Sequence, residues 1–321
     1  MTNLSPILRA ISLSVFFGGA VFAPTTTLAS GGAPRAWVSN LGTDAPGCGP
    51  VASPCRQLQY AHDNIVAPGG SIYVKDPAGF LPLVIRNAIS IINDGSGTAA
   101  IFAPSSDAID IQAGANDAVF IRGLVIDGVG AGNNGVNLTS GGSLTLSNCV
   151  IKGFGASAAT GVIVQPSSGA VQVNVYDTNI SSNSYVDVWL VPSGAASVDA
   201  TFKNVTFDRS QYGLALNAFS TSGYANATVE HSVATGNSYG VWALGASSNA
   251  RLIATDVNAS HNQYGFYIDS GAVAYFSGSV ATENTSWGVT NVGAAFTLQN
   301  NLFRDNANNV YGSLIPIGPG D

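Results

Sequence analysis

The sequence is 321 residues long with a formal net charge of −7, and only 9% of its residues are charged. Such acidity makes nucleic acid a poor partner, and it disfavours anionic polysaccharides unless cations bridge the two. The low charge content and the 38 glycines favour strands and turns over helices. We find no metal-ligand cluster and no phosphate-binding loop, so we expect no metal site and no cofactor.

The first residues have the features of an export signal. Arg9 is the only charged residue before an apolar run at 10–22, and Thr27-Leu28-Ala29 is typical of a cleavage site. The run is shorter than the roughly 20 residues that a membrane-spanning helix needs. We therefore predict a signal peptide over 1–29, no membrane span, and an exported protein of the periplasm, the cell surface or the extracellular space.

The next segment, 30–69, is predicted to be an N-terminal cap. It contains a strand at 36–39, a loop rich in Gly and Pro that carries Cys48 and Cys55, and a short amphipathic helix that ends at Pro68. An exported setting favours a disulfide between the two cysteines. The helix would cover the open first coil of the array that follows, whose strand edge would otherwise pair with another chain.

From Asn183 onward a short phrase recurs, with a polar residue, one further residue, an aromatic residue and usually glycine. The aromatic residues are Tyr185, Tyr212, Tyr239, Tyr264, Trp287 and Tyr311, at intervals of 27, 27, 25, 23 and 24 residues. A period in this range, in units rich in β-strand signals, is typical of a solenoid. We predict about ten coils over 70–312, followed by a tail at 313–321.

The turn before each aromatic residue is rich in asparagine. Asn183, Asn237, Asn262 and Asn309 are assigned to this turn. Stacked side-chain amides can hydrogen-bond from coil to coil, and Asn tolerates the left-handed turn conformation. We interpret the asparagines and the row of aromatic residues as structural elements first.

With these coil lengths, turn asparagines and stacked aromatic residues, the chain resembles the right-handed parallel β-helix proteins of the pectate lyase-like superfamily. The stretches 37–44, 53–58 and 69–74 are similar to the start of exported bacterial members without an assigned activity. The resemblance implies an all-β fold, a right-handed parallel β-helix with an N-terminal capping α-helix. No catalytic set carries over, because the Asn-Thr-Asp, Asp-Asp, Gly-His-Gly and Arg-Ile-Lys motifs of polygalacturonase-like enzymes do not occur.

Polar residues beside the asparagine turn form one candidate acid/base set. Aligning the coils on that turn places His261 and Glu283 as diagonal neighbours one coil apart, with Asp208 and Arg209 two coils back. General acid/base chemistry needs such groups to converge on a substrate. A turn that faces water carries polar residues in any case, so catalysis is kept as an alternative.

A second candidate site is aromatic. In the strand after each glycine, alternation points Trp242 and Tyr267 outward, side by side on neighbouring coils, with Asp269 and Asp187 on the same face. Exposed rings beside hydrogen-bonding groups suit sugar rings. We predict a non-catalytic protein that contacts polysaccharide or a cell-surface glycan. Two alternatives stay open: a polysaccharide lyase, hydrolase or epimerase with an atypical site, and an adhesin or scaffold that binds protein.

Overall fold

The computed structural model describes residues 32–318, in which the chain winds repeatedly through three β-sheets. Each coil passes through the first sheet, then the second, then the third, and returns to the first. Strands of successive coils pair in parallel. The predicted all-β solenoid is therefore confirmed, while the predicted signal peptide at 1–29 lies outside the described residues.

The first sheet is the widest and the second the narrowest. The twelve strands of the first sheet are β1 (Ala33–Val38), β2 (Val66–Val74), β5 (Ile89–Ile92), β8 (Ala118–Arg122), β11 (Ser143–Ser147), β14 (Ala170–Tyr176), β17 (Ser197–Lys203), β20 (Ala225–Glu230), β23 (Ala250–Thr255), β25 (Ala272–Ser277), β28 (Ala294–Thr297) and β31 (Ile315–Pro316). The seven strands of the second sheet are β3 (Ala78–Phe80), β6 (Ala99–Phe102), β9 (Leu124–Asp127), β12 (Val150–Lys152), β15 (Asn179–Ser181), β18 (Thr206–Asp208) and β21 (Val233–Thr235). The pair β26 (Val280–Ala281) and β29 (Leu302–Phe303) continues the second sheet through a bridge at Asn258.

The third sheet carries the site described below. Its ten strands are β4 (Leu83–Ile85), β7 (Ile109–Gln112), β10 (Asn134–Ser140), β13 (Thr160–Val164), β16 (Val186–Leu190), β19 (Tyr212–Asn217), β22 (Tyr239–Leu244), β24 (Tyr264–Ile268), β27 (Trp287–Asn291) and β30 (Asn308–Tyr311). One inward position per strand forms a continuous buried row in register, made of Val136, Val162, Val188, Leu214, Val241, Phe266 and Val289. Burying a side chain of this kind contributes about 1.5–3 kcal/mol relative to leaving it exposed.

A short helix, α1 (Leu58–Asn64), packs against β1, β2 and β4 at the N-terminal end of the array. Leu58 is fully buried there, and the buried His62 accepts the backbone N–H of Arg86 at its Nε2. The predicted disulfide between Cys48 and Cys55 is confirmed. Cys55 also bridges to β1, so the closed loop is fixed to the edge of the first sheet.

Asparagine side chains connect successive coils at the turn between the second and third sheets. The N–H of Asn237 donates to Oδ1 of Asn262 at 3.0 Å, and the N–H of Asn262 donates to Oδ1 of Asn284 at 2.9 Å. The predicted ladder is thus confirmed at Asn237 and Asn262, and it includes Asn284, which the prediction had missed. The prediction was wrong at its last rung, which is Asn306 and not Asn309. Asn309 instead accepts the N–H of Asn306 at 3.2 Å and closes the end of the ladder.

The connections from the third sheet to the first shorten from β19 to β27. They occupy 218–224, 245–249, 269–271 and 292–293 in four successive coils. The rungs of the asparagine ladder keep their bonds although their separation falls from 27 to 22 residues. The difference in coil length is therefore taken up mostly at this one corner.

Glycine follows the aromatic residue because the backbone corner leaves no room for a side chain. A Cβ on Gly240 would lie 2.7 Å from the carbonyl oxygen of Gly265 and 2.9 Å from Nδ2 of Asn262. We expect Gly240→Ala to lower the free energy of unfolding by about 1–3 kcal/mol, as overpacking does elsewhere. Urea unfolding of Gly141→Ala is the control, since its Cβ would have 3.9 Å to its nearest neighbour. Equal effects at the two positions would contradict the steric explanation.

Candidate functional site

Aromatic side chains cover the outer surface of the third sheet from β16 to β30. We name this surface the aromatic face, and its members are Tyr185, Trp189, Tyr212, Tyr239, Trp242, Tyr264, Tyr267, Trp287 and Tyr311. Most of them are half-buried, and they alternate with the buried inward row. Strand register divides them into two rows that follow the axis of the solenoid.

The first row begins the strands and consists of rings that stand on edge. Tyr212, Tyr239, Tyr264 and Trp287 are partners in register. The ring centroid of Tyr239 lies 4.8 Å from that of Tyr212 and 4.9 Å from that of Tyr264, with the planes within 11° of parallel. Both faces of the Tyr239 ring are therefore occupied by its neighbours. This stack leaves ring edges and hydroxyl groups for the solvent.

The second row lies three residues further on, and most of its rings lean toward the preceding coil. The ring centroid of Trp242 lies 5.4 Å from that of Tyr212, and that of Tyr267 lies 5.4 Å from that of Tyr239. The Tyr267 ring is turned by 75° from the plane of Tyr239. Ala215, the partner of Trp242 in the preceding coil, is only 1% exposed although its position points outward. Trp242 and Tyr267 are half-buried, so part of each ring remains accessible on the outer surface.

The predicted pair of Trp242 and Tyr267 consists of direct partners in register on neighbouring coils. Asp269, which follows β24, acts electrostatically on the phenols of Tyr267 and Tyr239. Burial and then the negative charge of Asp269 raise the pKa of Tyr267, and burial with the neighbouring Tyr264 and Asp269 raises the pKa of Tyr239. Both phenols therefore keep their protons and remain hydrogen-bond donors at neutral pH.

Asp187 does not belong to this surface, so its predicted position was wrong. It is fully buried at the corner that glycine occupies in neighbouring coils. Its Oδ1 accepts Nδ2 of Asn183 at 2.8 Å and Oγ of Ser210 at 2.5 Å, while Oδ2 has no partner among the described residues. Burial raises the pKa of Asp187 well above the ordinary value. The register pairs Val186 with Tyr212, which moves Asp187 to the corner.

The alignment of coils in the sequence missed two members of the second row. Trp189 is the partner of Ala215, but it follows Tyr185 by one residue more than Trp242 follows Tyr239. Tyr311 was assigned to the first row, and the structure instead pairs it with Thr290 in the second. Its ring centroid lies 5.5 Å from that of Trp287 in the preceding coil, as the leaning arrangement requires.

A family sequence profile described as the right handed beta helix region matches residues 85–257, more than half of the chain. The chain belongs to the right-handed β-helix family. No curated protein and no solved structure matches it. Membership fixes the fold of the β-helix, and the use of its surfaces has to be argued from the residues themselves.

The candidate acid/base set lies on a projecting corner of the β-helix. His261 and Glu283 occupy equivalent positions with positive φ in one row, where the predicted alignment had made them diagonal, and their side chains pair at 2.8 Å. They are 64% and 65% exposed. Asp208 and Arg209 pair with each other at 3.0 Å. The structure therefore gives one surface Asp–Arg ion pair, worth at most about 1 kcal/mol, and one separate His–Glu contact, and it does not converge the four groups on a groove.

Residues 32–318 of the β-helix contain no cluster of three or more His, Cys, Asp or Glu side chains placed to bind a metal ion. In the part of the chain that the structure describes, no helix has the length and apolar character needed to cross a membrane.

Proposed function

We propose that the protein is an exported, non-catalytic β-helix protein whose aromatic face binds polysaccharide or a cell-surface glycan. The observation that carries the proposal is the placement of Trp242 and Tyr267 as half-buried outer-surface rings that are direct partners on adjacent coils. Trp242 packs against Tyr212, and Tyr267 packs against Tyr239 and Tyr264, so both rings are held in place before any ligand arrives. Such preorganisation lowers the entropic cost of binding.

Sugars match this surface chemically. A pyranose has an apolar C–H face, which packs on a flat ring, and a rim of hydroxyl groups that need hydrogen-bond partners. Beside the standing row, the turns present the exposed amides of Gln211 and Gln263. The protonated phenols of Tyr239 and Tyr267 add further donors. A stacked sugar can therefore satisfy its polar groups without leaving the rings.

One feature supports a non-catalytic binding role, and another supports a location outside the cytoplasm. The one acid/base constellation that the sequence offered lies exposed on a corner and is divided into two separate pairs that do not converge on a groove. The disulfide between Cys48 and Cys55 is stable in an oxidising compartment, as expected for an exported chain with the predicted signal peptide.

A glycan array followed by titration calorimetry tests the proposal. We expect Trp242→Ala and Tyr267→Ala each to weaken binding to the best array ligand about tenfold or more, because an aromatic contact contributes on the order of 1 kcal/mol or more beyond area burial. The matched control is Tyr275→Ala, which removes a half-buried ring from the outer surface of the first sheet.

The control should keep the wild-type affinity, and far-UV circular dichroism should show that all three variants are folded. Unchanged affinity in both aromatic-face variants would overturn the proposal. An equal loss in the control would also overturn it, since binding would then not depend on the third sheet.

A further inference from the structure

We infer that the ligand is a neutral, extended glycan that lies along the axis of the β-helix, across the coils from Trp189 to Tyr311. This inference rests on the proposed function of the aromatic face and adds the class of sugar and its direction. The evidence is the lack of positive charge on the third sheet and the positions of the second-row rings along the axis.

The described strands of the aromatic face carry no positively charged side chains. None of the described strands β16, β19, β22, β24, β27 and β30 contains Lys or Arg. Arg209, at the adjoining corner, is already paired with Asp208. Asp269 borders the face on its other side, and the whole chain carries a net charge of −7. An anionic polysaccharide would bring its carboxylates to this surface without a countercharge, which costs affinity.

The rings of the second row define a direction. Trp189, Trp242, Tyr267 and Tyr311 lie in β16, β22, β24 and β30, which are separated by two, one and two coils. Since neighbouring strands are about 4.8 Å apart, these rings follow one another at steps of about 10, 5 and 10 Å along the axis. The track is therefore about 24 Å long. It runs across the strands and not along any one of them.

An extended sugar chain fits such a track. In a ribbon-like glycan each pyranose advances the chain by a length close to one strand spacing, so successive sugars meet successive coils. Trp242, Tyr267 and Tyr311 each contact a ring of the preceding coil, with 5.4–5.5 Å between ring centroids, so the row is continuous along the axis. A chain that crossed the axis would contact one ring only. Contact with all four rings requires the chain to follow the axis.

Length and charge series test the inference. The probes are trimers and hexamers of four neutral β-1,4-linked oligosaccharides, of glucose, xylose, mannose and N-acetylglucosamine, with trimers and hexamers of galacturonate as the anionic counterparts. By titration calorimetry we expect at least one neutral hexamer to bind tenfold more tightly than its trimer. We expect the galacturonate hexamer to bind at least tenfold more weakly than that neutral hexamer.

Variants at the two ends of the track separate this inference from the proposed function. Trp189→Ala and Tyr311→Ala should weaken binding of the neutral hexamer severalfold and leave the trimer unchanged. Preference for galacturonate, failure of all four neutral series to bind, or equal affinity for trimer and hexamer would each overturn the inference. The proposed function would survive those results if another glycan still bound in a manner sensitive to Trp242→Ala, and it would fall with the inference if none did.

Discussion

Replacing Asn237 with alanine is expected to lower the free energy of unfolding by about 3 kcal/mol or more, since each buried group left without a partner costs about 1–3 kcal/mol. The Oδ1 atom of Asn237 accepts the N–H of Ser210 at 2.9 Å. Its Nδ2 donates to the carbonyl oxygens of Phe207 at 3.1 Å and Thr235 at 3.0 Å. The side chain is 4% exposed, so water cannot replace these bonds.

Urea unfolding of the wild type and of Asn237→Ala provides the measurement. Asn116→Ala is the matched control, because Asn116 lies in an exposed turn where a substitution should change the stability by no more than about 0.5 kcal/mol. If Asn237→Ala were as mild as the control, the side-chain ladder would not stabilise the coils.

Replacing Asp187 with asparagine is expected to stabilise the protein increasingly as the pH rises. Because burial raises the pKa of Asp187 above the ordinary value of 3.8, the folded state holds this proton more tightly than the unfolded chain. The contribution of protonated Asp187 to the free energy of unfolding is fully present below pH 3.8. It is lost as the pH rises through the folded-state pKa. The amide introduced by Asp187→Asn would imitate the neutral acid at every pH, while Asn183 and Ser210 still donate to its Oδ1.

The gap between the urea-unfolding free energies of Asp187→Asn and the wild type should open above about pH 4. It should widen by up to about 1.4 kcal/mol per pH unit until the folded-state pKa is passed. Asp305→Asn removes an exposed carboxylate from a turn and serves as the control for lost charge. A gap for Asp187→Asn that stays constant between about pH 4 and pH 8 would show that the buried group does not titrate as expected.

At Asp187 and Ser210 this coil differs from its neighbours, and the two differences offset each other. Ser210 stands where the next coils have Asn237 and Asn262, and its hydroxyl keeps the bond to the N–H of Asn183 at 3.0 Å. The shorter serine leaves space beside the corner that glycine normally occupies. The carboxyl group of Asp187 fills that space and accepts the serine hydroxyl. The coil therefore preserves the ladder by a different pair of residues.

The solenoid could be predicted from the sequence because its signals repeat. Alternation after each glycine placed Val241 and Phe266 inward and Trp242 beside Tyr267, and the structure has the same arrangement. Each of these predictions needed only the local period of two and the spacing between coils. Both quantities can be read directly from the sequence.

The errors arose where coils differ in length at an unexpected corner. Counting from one aromatic residue to the next cannot tell which turn has gained or lost a residue. A slip of a single residue hid Trp189, because side chains alternate between the two sides of a strand. The true register places Asp187 at the buried corner. The leaning of the second row was also beyond prediction, since it depends on packing between rings of neighbouring coils.

The corner between the third and first sheets, where connections range from seven residues at 218–224 to two at 292–293, separates two kinds of constraint. Within the paired strands a coil must match its neighbours residue for residue. At the corner, extra sequence can be accommodated while strands on both sides keep their partners. Insertions or deletions at this corner can therefore change the loops next to the rings, and with them the binding specificity, while the strand pairing is kept.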